Sequence, residues 1–136
     1  MILVDTSVWI QVFRKREPLE ITTELSLEDV VTCLPVVQEV LQGFREERAY
    51  RIAREAMNSF PIVDSPLPAA TVEEAVNLFR AARKNGLTVR SSVDCLIAAS
   101  AIRNGLTVLH VDRDFDFLAR VSNLQVRRVH LKARGS

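Results

Sequence analysis

Short apolar runs rich in β-branched residues alternate along this chain with longer segments of helical periodicity. Four of these runs predict strands, the first of them buried, and a fifth is a candidate edge strand: Ile2–Val4, Val30–Leu34, Thr107–Val111, Val126–Leu131 and Pro61–Val63. With the helical segments between them, the predicted order is β-α-β-α-α-β-α-α-β-α-β. Strands that alternate with helices across short connections favour an α/β fold, with a central, mostly parallel β-sheet flanked by helices on both faces.

Capping residues and glycines set the ends of the predicted helices. They place the helices at residues 8–13, 35–44, 46–60, 72–85, 93–104 and 114–121. Thr71 and Glu74 have the spacing of a capping box, and Gly86 and Gly105 are expected to close helices. In the helix at 46–60, the apolar face that is predicted to point inward comprises Tyr50, Ile52, Ala53, Ala56 and Met57.

A chain of 136 residues fits one domain, and we predict a single domain over residues 1–132. The last four residues, 133–136, resemble a cloning remnant. No apolar run is long enough to cross a bilayer, and the N-terminus lacks the layout of a signal peptide, so the expected location is the cytoplasm. Cys33 and Cys95 stand among apolar neighbours and are expected to be buried and reduced.

Four acidic residues lie where one predicted element gives way to the next: Asp5, Glu39, Asp94 and Asp112. Asp5 and Asp112 follow strands, Asp94 lies in the first turn of a helix, and Glu39 lies one turn inside the helix that begins at Pro35. In a parallel sheet, the loops that leave the carboxyl ends of the strands lie along one edge, and sites in open α/β sheets form there. We therefore expect the four carboxylates to converge at this edge.

Each acid taken alone also has a purely structural interpretation. Asp5 and Asp112 could be helix caps, Asp94 could be a carboxylate favoured by the helix dipole, and Glu39 could be an exposed helix residue. One shared cause explains four acids at one edge better than four separate accidents. Glu39 also stands in a stretch that is otherwise suited to burial.

A cluster of carboxylates without Cys or a nearby His predicts a hard divalent cation, Mg²⁺ or Mn²⁺, rather than zinc. Such a cation leaves coordination positions for phosphate oxygens and lowers the pKa of bound water. The chain has no P-loop, no dinucleotide-binding glycine motif and no apparent Ser-His or Cys-His pair, and His110 is expected to be a strand residue. The pattern predicts metal-dependent hydrolysis of phosphodiesters, with RNA as the favoured substrate.

The net charge of +1 does not by itself predict binding to nucleic acid. Basic residues nevertheless cluster in four segments: 14–16, 45–54, 80–90 and 127–128. These clusters could form a basic face for phosphates, or they could make ordinary helix ion pairs, and both interpretations stay open.

Four motifs carry a resemblance to a known family, in its order and at comparable spacings: Val4–Ser7, Pro35–Glu39, Ser92–Ala99 and Asp112–Asp116. Through them, the chain resembles the PIN-domain ribonucleases, specifically the VapC-type toxins of bacterial toxin–antitoxin pairs, over essentially its whole length. The resemblance implies a PIN-like α/β fold and an endoribonuclease that uses Mg²⁺ or Mn²⁺.

The resemblance also implies roles for the acids. Asp5 and Asp94 would be the principal metal ligands, and Asp112 would complete the cluster. Glu39 would orient metal-bound water or bind a second metal.

Three further positions match the family's motifs. Asp114 stands where the family often has an acid, and it could replace or assist Asp112. Thr6 and Ser92 match polar positions that hydrogen-bond the acidic ligands or nearby water.

The family resemblance further implies a homodimer and a small VapB-like antitoxin that lays a helical segment on the toxin. The segment Glu46–Met57 is a candidate for part of the partner groove, or it is plain surface. Two alternatives remain open. One is a PIN nuclease that acts on DNA or flap structures, which is disfavoured because the short chain shows no added domain for gripping a duplex. The other is a catalytically inactive PIN-like module that binds RNA or protein.

Overall fold

The structure, a computed structural model, describes residues 1–131 as five strands and six α-helices. The strands are β1 (Ile2–Val4), β2 (Val30–Cys33), β3 (Ile62–Val63), β4 (Thr107–His110) and β5 (Gln125–Arg128). The helices are α1 (Thr6–Phe13), α2 (Leu34–Gln42), α3 (Glu47–Asn58), α4 (Ala69–Lys84), α5 (Ser92–Asn104) and α6 (Arg113–Arg120). The predicted tail at 133–136 lies outside the described residues.

The five strands form one sheet in the order β3-β2-β1-β4-β5, and every neighbouring pair is parallel. The predicted α/β fold with a mostly parallel sheet is therefore confirmed. β1 lies at the centre, because Ile2 pairs with Val30 of β2 on one side and with Thr107 of β4 on the other. The chain builds the sheet outward from β1 in both directions, so the topological switch point lies between β1 and β4.

The core is built on consecutive buried strand residues. All four residues of β2 are buried, as are Leu3 of β1 and Leu109 of β4. Since successive side chains of a strand point to opposite faces, this burial requires cover on both faces of the sheet. Cys33 and Cys95 belong to this core and are unbridged, as predicted.

Most predicted helix ends lie within two residues of the observed ones, and one opening signal is wrong. α2 ends before Gly43, and α5 ends before Gly105, which has a positive φ of 65°. α4 begins at Ala69 instead of at the predicted capping box. Thr71 lies inside the helix, and its hydroxyl donates to Oδ2 of Asp64 at 3.0 Å. The group that was expected to cap the helix therefore binds a residue in the segment before it.

The predicted inward face of α3 is correct except at one residue. Ala53 and Met57 are fully buried, and they are one helical turn apart. Ile52 is 58% exposed, because it is rotated about 100° from Ala53 around the helix axis. An apolar side chain therefore stands on the outer surface of α3.

Candidate active site

Asp5 lies directly after β1, and the fold holds it by both backbone and side chain. Its N–H donates to the carbonyl of Leu109 at 2.9 Å, which extends the pairing of β1 with β4. Oδ2 accepts from the Ser7 N–H at 3.0 Å and from the Ser7 hydroxyl at 2.6 Å, so Asp5 is the N-cap of α1. Oδ1 has no hydrogen-bond partner among residues 1–131.

The carboxyl of Asp5 is only 2% exposed, and burial raises its pKa to about 6. The hydrogen bonds from Ser7 lower the pKa in part, whereas the charge of Glu39 raises it. One oxygen of Asp5 is thus committed to the helix cap, while the other is buried and free.

Asp94 lies in the first turn of α5 and is also buried. Burial, together with the nearby charges of Asp5 and Asp112, raises the pKa of this carboxyl to about 8. Asp114 acts in the same direction, because a protonated Asp94 can donate a hydrogen bond to it; when both carboxyls are ionised, Oδ2 of Asp94 has no hydrogen-bond partner among the described residues. Its surroundings therefore disfavour the negative charge unless a cation is added.

Asp112 and Asp114 lie on both sides of the start of α6. Asp112 is the N-cap, and its Oδ1 accepts from the Asp114 N–H at 2.9 Å. Asp114 is buried and accepts at Oδ2 from the Arg90 N–H at 3.0 Å, while its Oδ1 has no partner in residues 1–131. One carboxylate oxygen each from Asp94, Asp112 and Asp114 lies within 4.8 Å of the others. Both candidates for the fourth ligand therefore join the cluster.

Glu39 reaches the site from α2. Its Oε1 accepts from the Thr6 hydroxyl at 2.8 Å, which joins α2 to the start of α1. Its charge acts on Asp5, whereas Asp5 also acts on Asp94. Asp5 and Glu39 are not members of the group that Asp94, Asp112 and Asp114 form, and Asp5 interacts with that group through the effect of its charge on Asp94.

Six of the seven residues singled out from the sequence are linked by these hydrogen bonds, close approaches and charge interactions, and Ser92 is the exception. Ser92 is the first residue of α5, is exposed, and makes no side-chain hydrogen bond to an acid within residues 1–131. Sequence reasoning overlooked Ser7, whose hydroxyl donates to Asp5 and accepts from the Val111 N–H at 3.1 Å. Its position after a strand-ending Asp was a signal for a cap, but the bond to Val111 spans 104 residues and has no local signature.

The residues present fit a hard divalent cation. Three buried carboxylate oxygens, on Asp5, Asp94 and Asp114, lack a hydrogen-bond partner in the described chain. Buried polar atoms are rarely left unpaired, and raised carboxyl pKa values are relieved by a cation. The donors are all oxygens, which suits Mg²⁺ or Mn²⁺.

The structure is that of an α/β protein with an all-parallel sheet and a cluster of acids at the topological switch point. Comparison with known protein families identifies the family. The sequence profile of the PIN domain matches residues 2–121, from β1 to just past α6. The chain therefore belongs to the PIN domain family.

Relatives within the family are VapC ribonucleases. Ribonuclease VapC11 of Mycobacterium tuberculosis (strain ATCC 25618 / H37Rv) is 39% identical over 130 residues, which are 92% of this chain and 96% of the relative. The predicted resemblance to PIN-domain, VapC-type proteins is confirmed.

Solved structures share the fold at lower identity. VapBC2 from Rickettsia felis, bound to a DNA fragment from the promoter, has a TM-score of 0.77 and 19% identity, over 96% of this chain and 100% of that chain. VapBC-5 from Mycobacterium tuberculosis, a member of the VapBC family of toxin–antitoxin systems, has a TM-score of 0.71 and 22% identity, over 93% of this chain and 97% of that chain. Within residues 1–131, no helix has both the length and the apolar character that a membrane span needs.

Proposed function

We propose that this protein is an endoribonuclease toxin that hydrolyses RNA phosphodiester bonds with Mg²⁺ or Mn²⁺ and is neutralised by a VapB-like antitoxin. The observation that carries the proposal is the set of three buried, unpaired carboxylate oxygens at the switch point of the sheet. The similarity to Ribonuclease VapC11 supports RNA as the substrate.

The proposed ligands are Asp5, Asp94 and Asp112, with Asp114 as a further or alternative ligand. A divalent cation bound by them would neutralise phosphate charge and lower the pKa of a water molecule. Ser7 orients Asp5 by holding Oδ2, which leaves Oδ1 for the cation.

Glu39 has a separate proposed role in the reaction. Its Oε1 is engaged by Thr6, so its orientation is fixed while Oε2 stays available to accept a hydrogen bond from the attacking water. Ser92 is kept as a proposed polar contact for water or phosphate at the start of α5, where exposed backbone N–H groups favour anions.

The proposed partners are an antitoxin and a second copy of this chain, and the proposed location is the cytoplasm. The solved structures of similar fold include toxin–antitoxin complexes. The segment Glu46–Met57, which includes most of α3, is the proposed part of the antitoxin groove.

Cleavage-site mapping on total cellular RNA tests the proposal. Wild-type protein is compared with Asp5→Asn and Asp94→Asn, and with Asp29→Asn as a matched change at an exposed acid outside the cluster. We expect Mn²⁺-dependent cuts from the wild type and Asp29→Asn only. Wild-type rates from both site variants would contradict the proposal.

Two additional measurements separate the alternatives. Equal cleavage of RNA and single-stranded DNA of the same sequence would favour a less selective PIN nuclease. Calorimetry that detects no Mn²⁺ binding, with or without RNA, would favour the non-catalytic binding module.

A further inference from the structure

His110 is the last residue of β4, and its side chain is fully buried against the ring of Phe115. Its place in the strand accounts for its carbonyl, which accepts from the Val129 N–H at 2.9 Å. The strand does not explain why an imidazole is buried here, because a buried polar group costs free energy unless it is hydrogen-bonded. The contacts of the ring lie in the segment 112–116, which carries part of the acid cluster.

One ring nitrogen holds the backbone of Asp112. The Asp112 N–H donates to Nδ1 of His110 at 3.2 Å. A ring nitrogen accepts a hydrogen bond only when it carries no proton, so this bond requires the neutral tautomer with its hydrogen on Nε2.

The opposite nitrogen faces a carboxylate. Nε2 of His110 lies 3.4 Å from Oδ1 of Asp116, an electrostatic contact, and Nε2 makes no hydrogen bond within residues 1–131. The negative charge of Asp116 favours the proton on Nε2 and so leaves Nδ1 able to accept.

Arg128 holds Asp116 in turn. Its Nη1 lies 2.7 Å from Oδ2 of Asp116, and its Nη2 lies 3.5 Å from the carbonyl of Val111. His110 and Arg128 are also directly paired across β4 and β5. The three side chains therefore tie β4, α6 and β5 together beside the acids.

We propose that His110 is a positioning residue for the acid cluster, because its Nδ1 holds the Asp112 N–H and thereby fixes where β4 delivers Asp112 and Asp114. Asp112 is then held twice, by His110 at its backbone and by the Asp114 N–H at its Oδ1. The positioning role rests on the proposed function, since it assigns His110 a task at that same site.

The bond can be observed in the wild-type protein without cation or substitution. In ¹⁵N-labelled protein, we expect a scalar coupling between the Asp112 amide nitrogen and Nδ1 of His110, and ring shifts of the tautomer protonated at Nε2. A ring protonated at Nδ1, or no coupling in a spectrum where both nitrogens are assigned, would overturn the proposal.

Two substitutions of His110 separate positioning from packing. His110→Asn can offer Oδ1 near the place of Nδ1, whereas His110→Gln reaches toward Asp116 and leaves the Asp112 N–H without an acceptor. We expect His110→Gln to lower both the Mn²⁺ affinity and the kcat for RNA cleavage about 10-fold with KM unchanged, and His110→Asn to stay within about threefold of wild type. Equal losses of Mn²⁺ affinity and kcat in the two variants, or wild-type values in both, would contradict the positioning role.

Three controls distinguish a failure of the proposed role of His110 from a failure of the proposed function. Thermal unfolding shows whether each variant is folded, and if neither folds, the coupling in the wild type decides. Asp94→Asn reports whether cleavage depends on the acid cluster. If the wild type cleaves no RNA, the proposed function fails, while the coupling and the Mn²⁺ affinities of the two variants still decide the role of His110.

Discussion

At the scale of single residues, the acids are held in a state that opposes their charge. Burial raises the pKa of Asp5 to about 6 and, with neighbouring charges, that of Asp94 to about 8. Three of the buried oxygens have no partner within residues 1–131. Unpaired buried carboxylates lower the stability of the fold, and proteins commonly tolerate this loss at functional sites.

Asp94→Asn should therefore stabilise the metal-free protein. The folded pKa of about 8 lies above the ordinary value of 3.8, so the folded state binds more protons between these values, and its stability falls as pH rises through 8. Asn does not titrate, so we expect a gain on the order of 1–2 kcal/mol at pH 9 and little at pH 4. Urea unfolding of both proteins in EDTA at pH 4, 7 and 9 measures it. A variant no more stable than wild type at pH 9 would contradict the assigned burial effect.

The same shifts predict a pH dependence of metal binding. Protons must leave Asp5 and Asp94 before a cation can bind, so the apparent Mn²⁺ affinity should rise between about pH 6 and 8. Calorimetry in buffers of different ionisation enthalpy would show the release of protons. A flat affinity over this range would refute the prediction.

The contact between Thr6 and Glu39 gives a further test at this scale. Thr6→Val keeps the shape but removes the donor to Oε1, so we expect a loss of about 0.5–1.5 kcal/mol in stability and slower RNA cleavage. Thr6→Ser restores the donor and serves as the control. If valine and serine variants cleave RNA equally fast, the orientation of Glu39 has no part in the reaction.

At the scale of elements, the structural and functional interpretations of the acids turn out to be compatible. Asp5 caps α1 through Oδ2, and Asp112 caps α6 through Oδ1. A carboxylate has two oxygens, so one can cap a helix while the other is available to a cation. For Asp5 and Asp112, the helix-cap interpretation and the metal-ligand interpretation therefore involve different oxygens of the same carboxylate and do not exclude each other.

Substitutions of Asp112 can separate its helix-capping role from its proposed role as a metal ligand. Asp112→Ser keeps a hydroxyl oxygen that can accept from the Asp114 N–H, whereas Asp112→Ala loses the cap, at about 1 kcal/mol of stability. We expect both variants to lose Mn²⁺ affinity equally, although only the alanine variant unfolds earlier in urea. Wild-type affinity in the serine variant would remove Asp112 from the ligand set and favour Asp114.

The end of α5 depends on a glycine. Gly105 has a φ of 65°, which alanine adopts only with strain, so Gly105→Ala should destabilise the protein by about 1 kcal/mol. Gly43 also ends a helix but has a φ of −80°, and a methyl group there would meet nothing closer than 3.5 Å. Gly43→Ala is thus the matched control and should be neutral or stabilising in thermal unfolding. The opposite order would contradict the assigned backbone conformations.

At the scale of the whole molecule, the net charge of +1 conceals an uneven distribution. The buried acids, Asp5, Asp94 and Asp114, lie at the sheet edge, while many of the arginines are exposed. Arg90 links the two, because its N–H donates to Asp114 while its side chain is exposed and makes no ion pair within residues 1–131. A cation at this rim suits an RNA phosphate.

Arg90→Gln should raise the KM for RNA several-fold at low salt, with a smaller effect at high salt because the contact is electrostatic. Arg103→Gln, an exposed arginine outside the four basic segments and at the opposite end of α5 from Asp94, is the control. Cleavage kinetics at several salt concentrations measure both. A KM equal to that of wild type at every concentration would show that Arg90 does not contact the substrate.

The amino-acid sequence alone specified the order of elements, the parallel sheet and the positions of its acids. Each of these depends on local periodicity or on where a strand ends. Asp5 and Asp112 had to lie at one edge, because the carboxyl ends of parallel strands share it. Two predictions from the same local patterns were wrong. Thr71 does not cap α4 but donates to Asp64, and Ile52 is exposed rather than buried, because packing decides both.

Pairings between distant residues followed from tertiary packing alone. The bond from Thr6 to Glu39 spans 33 residues, and that from Val111 to Ser7 spans 104. Nothing in the sequence indicated that Asp114 would be buried with a free oxygen, or that the ring of His110 would face Asp112. Periodicity and turn chemistry act over a few residues, whereas hydrogen bonds and buried charge depend on neighbours that only the folded chain brings together.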